Sequence, residues 1–427
     1  MSDTKSSAVQ VFDSPREPAA QSIETACCIA GGGPAGMMLG FLLARMGVDV
    51  QVLEKHGDFL RDFRGDTIHP STLEVMHELG LAEEFLKSPH QEARQLLAQV
   101  AGKTVTVADF THLPTRCRFL SFIPQWDFLN FIAEQGRRYP GFHLKMRAEV
   151  TDLIKEPGRV VGARAQTPEG PVEIRALLTI GADGRHSVVR ERAGLEVIHV
   201  GAPMDVLWMR ISRRADDPGQ TFGHVGAGRF LIALNREEYW QCGFVIPKGG
   251  FDELRAKGLP ALREDIVKLA PYLGDRISEL RDWNNISLLT VAVDRLKQWH
   301  LPGLLCIGDA AHAMSPVGGV GINLAIQDAV AAANILGAKL RNGAVRETDL
   351  RAVQQRRMLP TRATQWMQVA IQNRVIRPLL ASSKPLAFPW PLKLLRRWPY
   401  LRRFPARLIG MGFRPEHVRN SGAKTAT

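Results

Sequence analysis

The chain has 427 residues, 45% of them hydrophobic and 23% charged, which is long enough for two or three domains and for a large core without disulfide support. Its cysteines, Cys27, Cys28, Cys117, Cys242 and Cys306, form no CxxC pair and have no histidine partners at zinc spacing. That speaks against a disulfide framework or a metal site, so no metal is expected, and it suits a reducing cytoplasm. The formal net charge of +12 admits nucleic acid, an anionic membrane or an acidic ligand, and does not by itself select one.

Residues 1–24 are polar, mix both charge signs and contain Pro15 and Pro18. They lack the basic-then-apolar pattern of a signal peptide and are expected to be a disordered leader. No apolar run reaches the roughly 18 residues needed to span a bilayer, so any membrane contact would be peripheral.

Ala26 to Ala30 is a short apolar run entering Gly31-Gly32-Gly33-Pro34-Ala35-Gly36, and Met37 to Met46 then has the composition of a helix closed by Gly47. Val48 to Leu53 is a second apolar run ending at Glu54, followed by Lys55. Such a strand-turn-helix-strand unit with GxGxxG at the turn binds a dinucleotide. The first glycine makes the turn, the second lets a pyrophosphate approach the backbone, and the third packs helix on strand. The helix start offers free N–H groups and partial positive charge. Glu54 at the second strand end can accept from ribose hydroxyls, which favours FAD or NAD over NADP.

Further on, Asp62-Phe63-Arg64-Gly65-Asp66 precedes a helix over Ser71 to Leu79, and Gln91 to Phe122 has a less helical pattern. Gln125, after Ile123-Pro124, opens a helix running to Arg138. Strands are expected near Val150 and Val160 and over Val172 to Ile180, the last leading into Gly181-Ala182-Asp183-Gly184-Arg185-His186-Ser187. Over 194–293 the period changes to strands at Val206 to Ile211, Arg229 to Leu234 and Tyr239 to Ile246, with helix near Asp252 to Leu269.

Leu304 to Ile307 is another buried-strand run, followed by Gly308-Asp309-Ala310-Ala311-His312, Pro316 and the loop Gly318-Gly319-Val320-Gly321-Ile322-Asn323 at the start of a long helix. A carboxylate just past a strand end can hold a polyol hydroxyl, and a glycine-rich helix entry offers N–H groups to an anion. An NAD enzyme needs no such second site, whereas a flavin does, because its ribityl chain and ring lie beyond the pyrophosphate.

These three motifs in this order resemble those of the class A flavoprotein monooxygenases, the relatives of para-hydroxybenzoate hydroxylase and of the ubiquinone-biosynthesis hydroxylases, over about Thr25 to Leu340. The fold so implied is α/β, α+β overall. It has a Rossmann-like FAD-binding domain in two parts (25–193, with some substrate-domain strands near 91–122, and 294–345), an inserted, mostly antiparallel β-sheet substrate domain (194–293) and a helical C-terminal region (346–427).

The resemblance implies FAD bound by Gly31, Gly33, Pro34, Ala35, Gly36, Glu54, Lys55, Arg64, Gln125, Asp183, Asp309, Gly321, Ile322 and Asn323. Pro316, Gly318 and Gly319 would form the oxygen side of the flavin. It also implies NADPH or NADH as electron donor, dioxygen as co-substrate, and a flavin C4a-hydroperoxide that hydroxylates or epoxidises an aromatic, quinone-like or quinolone-like molecule. Phe222, Phe230, Tyr239, Trp240 and Gln241 are expected as the substrate roof. No residue stands out as a general base. A monomer or homodimer is expected.

Rival readings are a flavin-dependent reductase of an isoprenoid or other unsaturated substrate and a non-catalytic prenyl-binding protein on the same fold. A halogenase is disfavoured because no Trp-x-Trp-x-x-Pro signature is present. From Arg374 onward, Trp390, Trp398, Phe404 and Phe413 alternate with arginines and prolines. This tail suits a structural cap or partner surface, an anionic membrane or, less well, nucleic acid.

Overall fold

The computed structural model describes residues 21–60, 67–100, 102–382 and 388–419. Residues 1–20 and the expected cofactor contact Arg64 lie outside the described residues. A central sheet runs in the spatial order His300–Leu301, Leu304–Cys306, Gly170–Gly181, Gln21–Ala30, Val50–Glu54, Phe142–Met146. All neighbours are parallel except the antiparallel edge strand His300–Leu301.

The first strand starts at Gln21, with Gln21 to Thr25 paired to Val172 to Ala176, so residues 21–24 belong to the sheet and not to a leader. Gln21, Ser22 and Glu24 are polar and exposed, while Ile23 is half-buried against the core. The backbone ladder of a distant strand holds them, a partner that local composition does not reveal.

The strand Gln21–Ala30 leads to Val50–Glu54 on one side and neighbours Gly170–Gly181 on the other. This reversal of strand order opens a crevice at the carboxyl ends, the position where open α/β sheets bind ligands. Helix Pro34–Arg45 leaves that crevice and packs against helices Gln125–Arg137 and Gly321–Arg341.

A second, seven-stranded sheet has the order Ile286–Leu289, Met204–Ser212, Tyr239–Pro247, Arg229–Asn235, Phe222–Gly226, Gln95–Val100, Lys103–Asp109. Its pairs are antiparallel apart from Phe222–Gly226 with Gln95–Val100. Period-two alternation gives it two apolar faces. Leu207, Met209, Leu231, Ala233, Trp240, Cys242 and Phe244 pack on Leu262 and Ile266 of helix Leu259–Leu269. Val206, Trp208, Phe230 and Val245 face the other way and cluster with Val317, Ile371 and Ile376.

The segment Val317–Arg341 is long and apolar enough to cross a membrane, but 72% of its apolar 18-residue stretch is buried inside the protein, as in a core helix. Within this helix the fully buried carboxylate of Asp328 accepts from His312 Nε2 at 2.5 Å, Arg357 Nε at 2.8 Å and the Gly308 backbone N–H at 3.1 Å. Burial pushes the Asp328 carboxyl up, but His312 and Arg357 outweigh it and hold it below its ordinary value. Arg357 in turn donates to Glu416, which also pairs with Arg356 at 2.6 Å. Removing one partner of such a pair strands a charge in a low dielectric. Arg357→Met is expected to lower stability by about 3–5 kcal/mol, read as a shifted urea midpoint in far-UV circular dichroism.

Candidate active site

At the crevice the Gly31 N–H donates to Leu53 O at 2.8 Å and the Ala182 N–H to Ala30 O at 2.8 Å, tying the ends of three neighbouring strands together. Gly31 has φ of 105°, and a Cβ there would meet Ala182 O at 2.4 Å. Both its backbone conformation and the close approach therefore demand glycine. At Gly33 the backbone is extended and a Cβ would touch no protein atom. The missing side chain leaves a bare approach to the start of helix Pro34–Arg45, which carries no side-chain cap and no acidic residue in its first turn. An anion fits this terminus. Glu54 accepts from the Gly32 N–H at 2.9 Å and the His56 N–H at 3.0 Å, which holds its carboxylate at the strand end beside the loop, while Lys55 is exposed.

The other two motifs converge on this loop. A Cβ on Gly308 would lie 3.0 Å from Ala35 Cβ and 3.2 Å from Ala325 Cβ, so the turn before Asp309 is wedged between the first turn of helix Pro34–Arg45 and the second turn of helix Gly321–Arg341. Arg185 of the second motif reaches Asp309 at 3.8 Å. The Asp183 carboxylate accepts from Ser187 Oγ at 2.5 Å and the Val189 N–H at 3.1 Å and so anchors the short helix Val188–Arg192. Burial raises its pKa above the ordinary value, against those hydrogen bonds.

The loop after Pro316 places Gly318 and Gly319 at φ of 82° and 63° and enters helix Gly321–Arg341, again with no side-chain cap and no acid in the first turn. Ile322 lies in that first turn. The Asn323 side chain is taken up by protein. It accepts from the His69 N–H and Thr72 Oγ1, each at 2.8 Å, and donates to Thr67 O at 2.9 Å and Gly319 O at 3.2 Å. It therefore fixes the loop that enters this helix.

Sequence reasoning missed His69, whose buried ring donates from Nδ1 to Ile409 O at 2.7 Å while Nε2 lies beside Gly319. Burial lowers its pKa to about 4. A lone histidine before a proline-started helix gives no local signal, since both contacts come from far along the chain.

On the substrate sheet the five roof candidates divide. Phe230, Tyr239 and Gln241 lie on the face that clusters with Val317, with Phe230 opposite Val245 and Gln241 opposite Arg210. Phe222 and Trp240 are on the opposite face. Trp240 is fully buried, donates from Nε1 to Asp217 at 2.8 Å and packs 5.4 Å from the Tyr272 ring, and Phe222 stacks near His224, whose Nε2 meets Tyr272.

Residues with the same parity as Gln241 were passed over, notably Trp208, which lies across Gly243 with its ring 2.9 Å from where a Cβ would sit. Gln241 accepts from Arg236 Nε at 3.1 Å, and that guanidinium lies 5.8 Å from the Phe122 ring centroid. The inner sheet face therefore spans from Val317 to Phe122, three residues before Gln125 at the start of helix Gln125–Arg137.

Gly33→Val is expected to leave the fold intact, since nothing in the protein touches the added group, and to weaken FAD binding by about tenfold or more, equal to about 1.4 kcal/mol, measured by flavin fluorescence titration. His69 stays neutral in the folded protein below the pH where an unfolded histidine protonates. The unfolded state therefore binds more protons as pH falls from about 6.5 toward about 4, and stability drops across that window. A His69→Gln variant should show a flatter fall in melting temperature over the same range.

A family model described as "FAD binding domain" matches residues 24–367. The 6-methylpretetramide 4-monooxygenase of Streptomyces rimosus is 32% identical over 364 residues, covering 85% of this chain and 86% of that protein. The dialkyldecalin synthase of Streptomyces rugosporus is 27% identical over 322 residues, 71% of this chain and 63% of that protein, so the chain spans less than two thirds of that relative. Among solved structures, p-nitrophenol 4-monooxygenase from Pseudomonas putida DLL-E4 superposes with a TM-score of 0.72 at 20% identity, covering 91% of this chain and 99% of its own, which shows a shared fold. With the match to the FAD-binding model across most of the chain, this protein belongs to the class A flavoprotein monooxygenases, an FAD-dependent enzyme family.

Proposed function

We propose that this chain hydroxylates a polycyclic aromatic or quinone-like small molecule, using NADPH or NADH as electron donor and dioxygen as co-substrate. The observation that carries the proposal is the Gly308 wedge, which sets two uncapped helix starts side by side beneath the apolar sheet face of Val206, Trp208, Phe230 and Val245. A long cofactor with an anionic middle and an aromatic end fits such a cradle. Bound FAD would supply the redox chemistry, including activation of dioxygen at its C4a carbon.

The chain's own groups have distinct parts. The open approach at Gly33 and the N–H groups of Ala35 and Gly36 hold the pyrophosphate. Glu54 accepts from the adenosine ribose, Asp309 from the ribityl chain, and Gln125 contacts the ring from the helix that it opens. The positive end of helix Gly321–Arg341 would favour negative charge on a flavin bound against it, with Asn323 holding the loop in register. Pro316, Gly318 and Gly319 shape the oxygen side, and Phe230, Trp208 and Gln241 hold the substrate against it while excluding water.

The tetracyclic-type substrate named for the relative from S. rimosus favours a fused-ring acceptor here. The dialkyldecalin synthase supports a second reading, in which the same cradle shapes a cyclisation with no oxygen added.

Incubation with FAD, NADPH or NADH and a panel of phenols, naphthoquinones and fused-ring polyketides under labelled dioxygen separates the two readings. One labelled oxygen in the product with substrate-stimulated nicotinamide oxidation supports hydroxylation. An unlabelled isomer of the substrate moves the protein to the cyclase reading. Phe230→Ala is expected to raise KM by roughly tenfold at similar kcat, as removal of an apolar substrate contact should. Phe222→Ala, on the far face, should lower the melting temperature and leave KM unchanged.

A further inference from the structure

Between Leu350 and Pro415 the chain contains no aspartate or glutamate, while Lys393, Arg396, Arg397, Arg402, Arg403 and Arg407 crowd its last part. This part forms helix Trp390–Arg397, a helical turn Pro399–Arg402 and helix Arg403–Gly410. One side of it is fully explained by packing. Ala406 is buried with Ala108, Phe110 and Leu113, and a Cβ on Gly410 would lie 2.9 Å from Leu113, so the segment covers the edge strand Lys103–Asp109 of the substrate sheet. An edge strand needs such a cover.

The other side has no such account. Trp390 is 73% exposed, Trp398 53%, Tyr400 60% and Phe404 60%. On the first helix Trp390 and Leu394 stand one turn apart and are both exposed, with Lys393, Arg396 and Arg397 exposed around them. Among the described residues no carboxylate is paired with any of these three cations. A monomeric protein leaves so many large aromatics in water only where something covers them.

We propose that this face docks on an anionic phospholipid surface, with the tryptophans, Tyr400 and Phe404 at the headgroup level and the cations on lipid phosphates. Aromatic rings with a polar edge favour that interface, and each nearby cation adds to the attraction. A second copy of the chain is the poorer occupant, because a two-fold contact would set this acid-free surface against itself.

The covered side of the same segment is tied to the glycine-rich loop. Ile409 O in the second helix accepts from His69 Nδ1, the His69 N–H donates to Asn323 Oδ1, and Asn323 Nδ2 donates to Gly319 O. A lipophilic fused-ring substrate dissolved in the bilayer would therefore reach the sheet whose edge carries the docking segment.

The test uses the full-length, FAD-loaded protein in flotation with vesicles of phosphatidylcholine alone or with roughly one third phosphatidylserine, an anionic lipid. Flotation with the anionic vesicles only, weakened by added salt and accompanied by a blue shift of tryptophan emission, is the expected result. Arg396→Gln and Arg397→Gln should each lower partitioning about fivefold. Trp390→Ser with Trp398→Ser should abolish flotation while FAD content and melting temperature stay at wild-type values.

Protein that stays at the bottom of the gradient with every vesicle overturns the proposal. So does binding of an oligoribonucleotide that exceeds vesicle binding and is lost in the same variants, or a concentration-dependent dimer that those tryptophan substitutions dissolve. Substrate turnover does not enter these readouts, so failure here leaves the monooxygenase reading standing.

Discussion

The Asp328 carboxylate, fully buried in the helix Gly321–Arg341, must be shared among His312, Arg357 and the Gly308 N–H, because an unpaired charge in that interior would cost several kcal/mol. Three stretches far apart in the chain are thereby required to arrive together. They are the turn after Leu304–Cys306, the long helix that follows it, and the C-terminal helix Glu347–Ile371 with Glu416 behind it. The arrangement seats Gly308 between Ala35 and Ala325, and that contact sets the two uncapped helix starts side by side. The C-terminal region is thus part of the cofactor cradle's support.

The same logic of shared partners governs the loop at the oxygen side. Asn323 uses both of its amide ends to bridge Gly319, Thr67, Thr72 and His69, so the loop's position depends on the start of helix Pro70–Glu78. His69 carries the connection on to Ile409 and the tail. The tail has two faces with different partners, one closing the edge of the substrate sheet and one turned outward with aromatic and cationic side chains. The substrate sheet likewise has two apolar faces, one sealed by helix Leu259–Leu269 and one turned toward Val317.

Much of this was legible in the chain itself. GxGxxG between an apolar run and a helix, with Glu54 at the next strand end, carries its own chemistry, since each glycine answers a steric demand that local backbone geometry imposes. The order of the three motifs pointed to FAD, and alternation in 204–247 marked the sheet. The leader assignment failed at its end, where the deciding partner was remote. Gln21 to Glu24 look unstructured until Gly170–Gly181 pairs with them. Asp183, by contrast, finds its protein partners Ser187 and Val189 within the same motif and the helix that follows it. The four protein partners of the Asn323 side chain were not legible, because three of them come from residues 67–72.

What the sequence by itself determined is therefore the local chemistry: the turn at Gly31, the bare approach at Gly33, the acid at Glu54, the glycine-rich entry to the long helix, and a tail without acidic residues. Tertiary structure alone decided which side of each element packs outward and which turns inward. Trp240 and Gln241 are adjacent and equally able to point either way, and a strand's period of two puts them on opposite faces without saying which is inside. Packing of Trp240 against Tyr272 and the outer helix turns Gln241 inward. Burial of a charge such as Asp328 is likewise a property of three-dimensional contacts, because its partners lie up to 29 residues away along the chain and meet only when the helices pack.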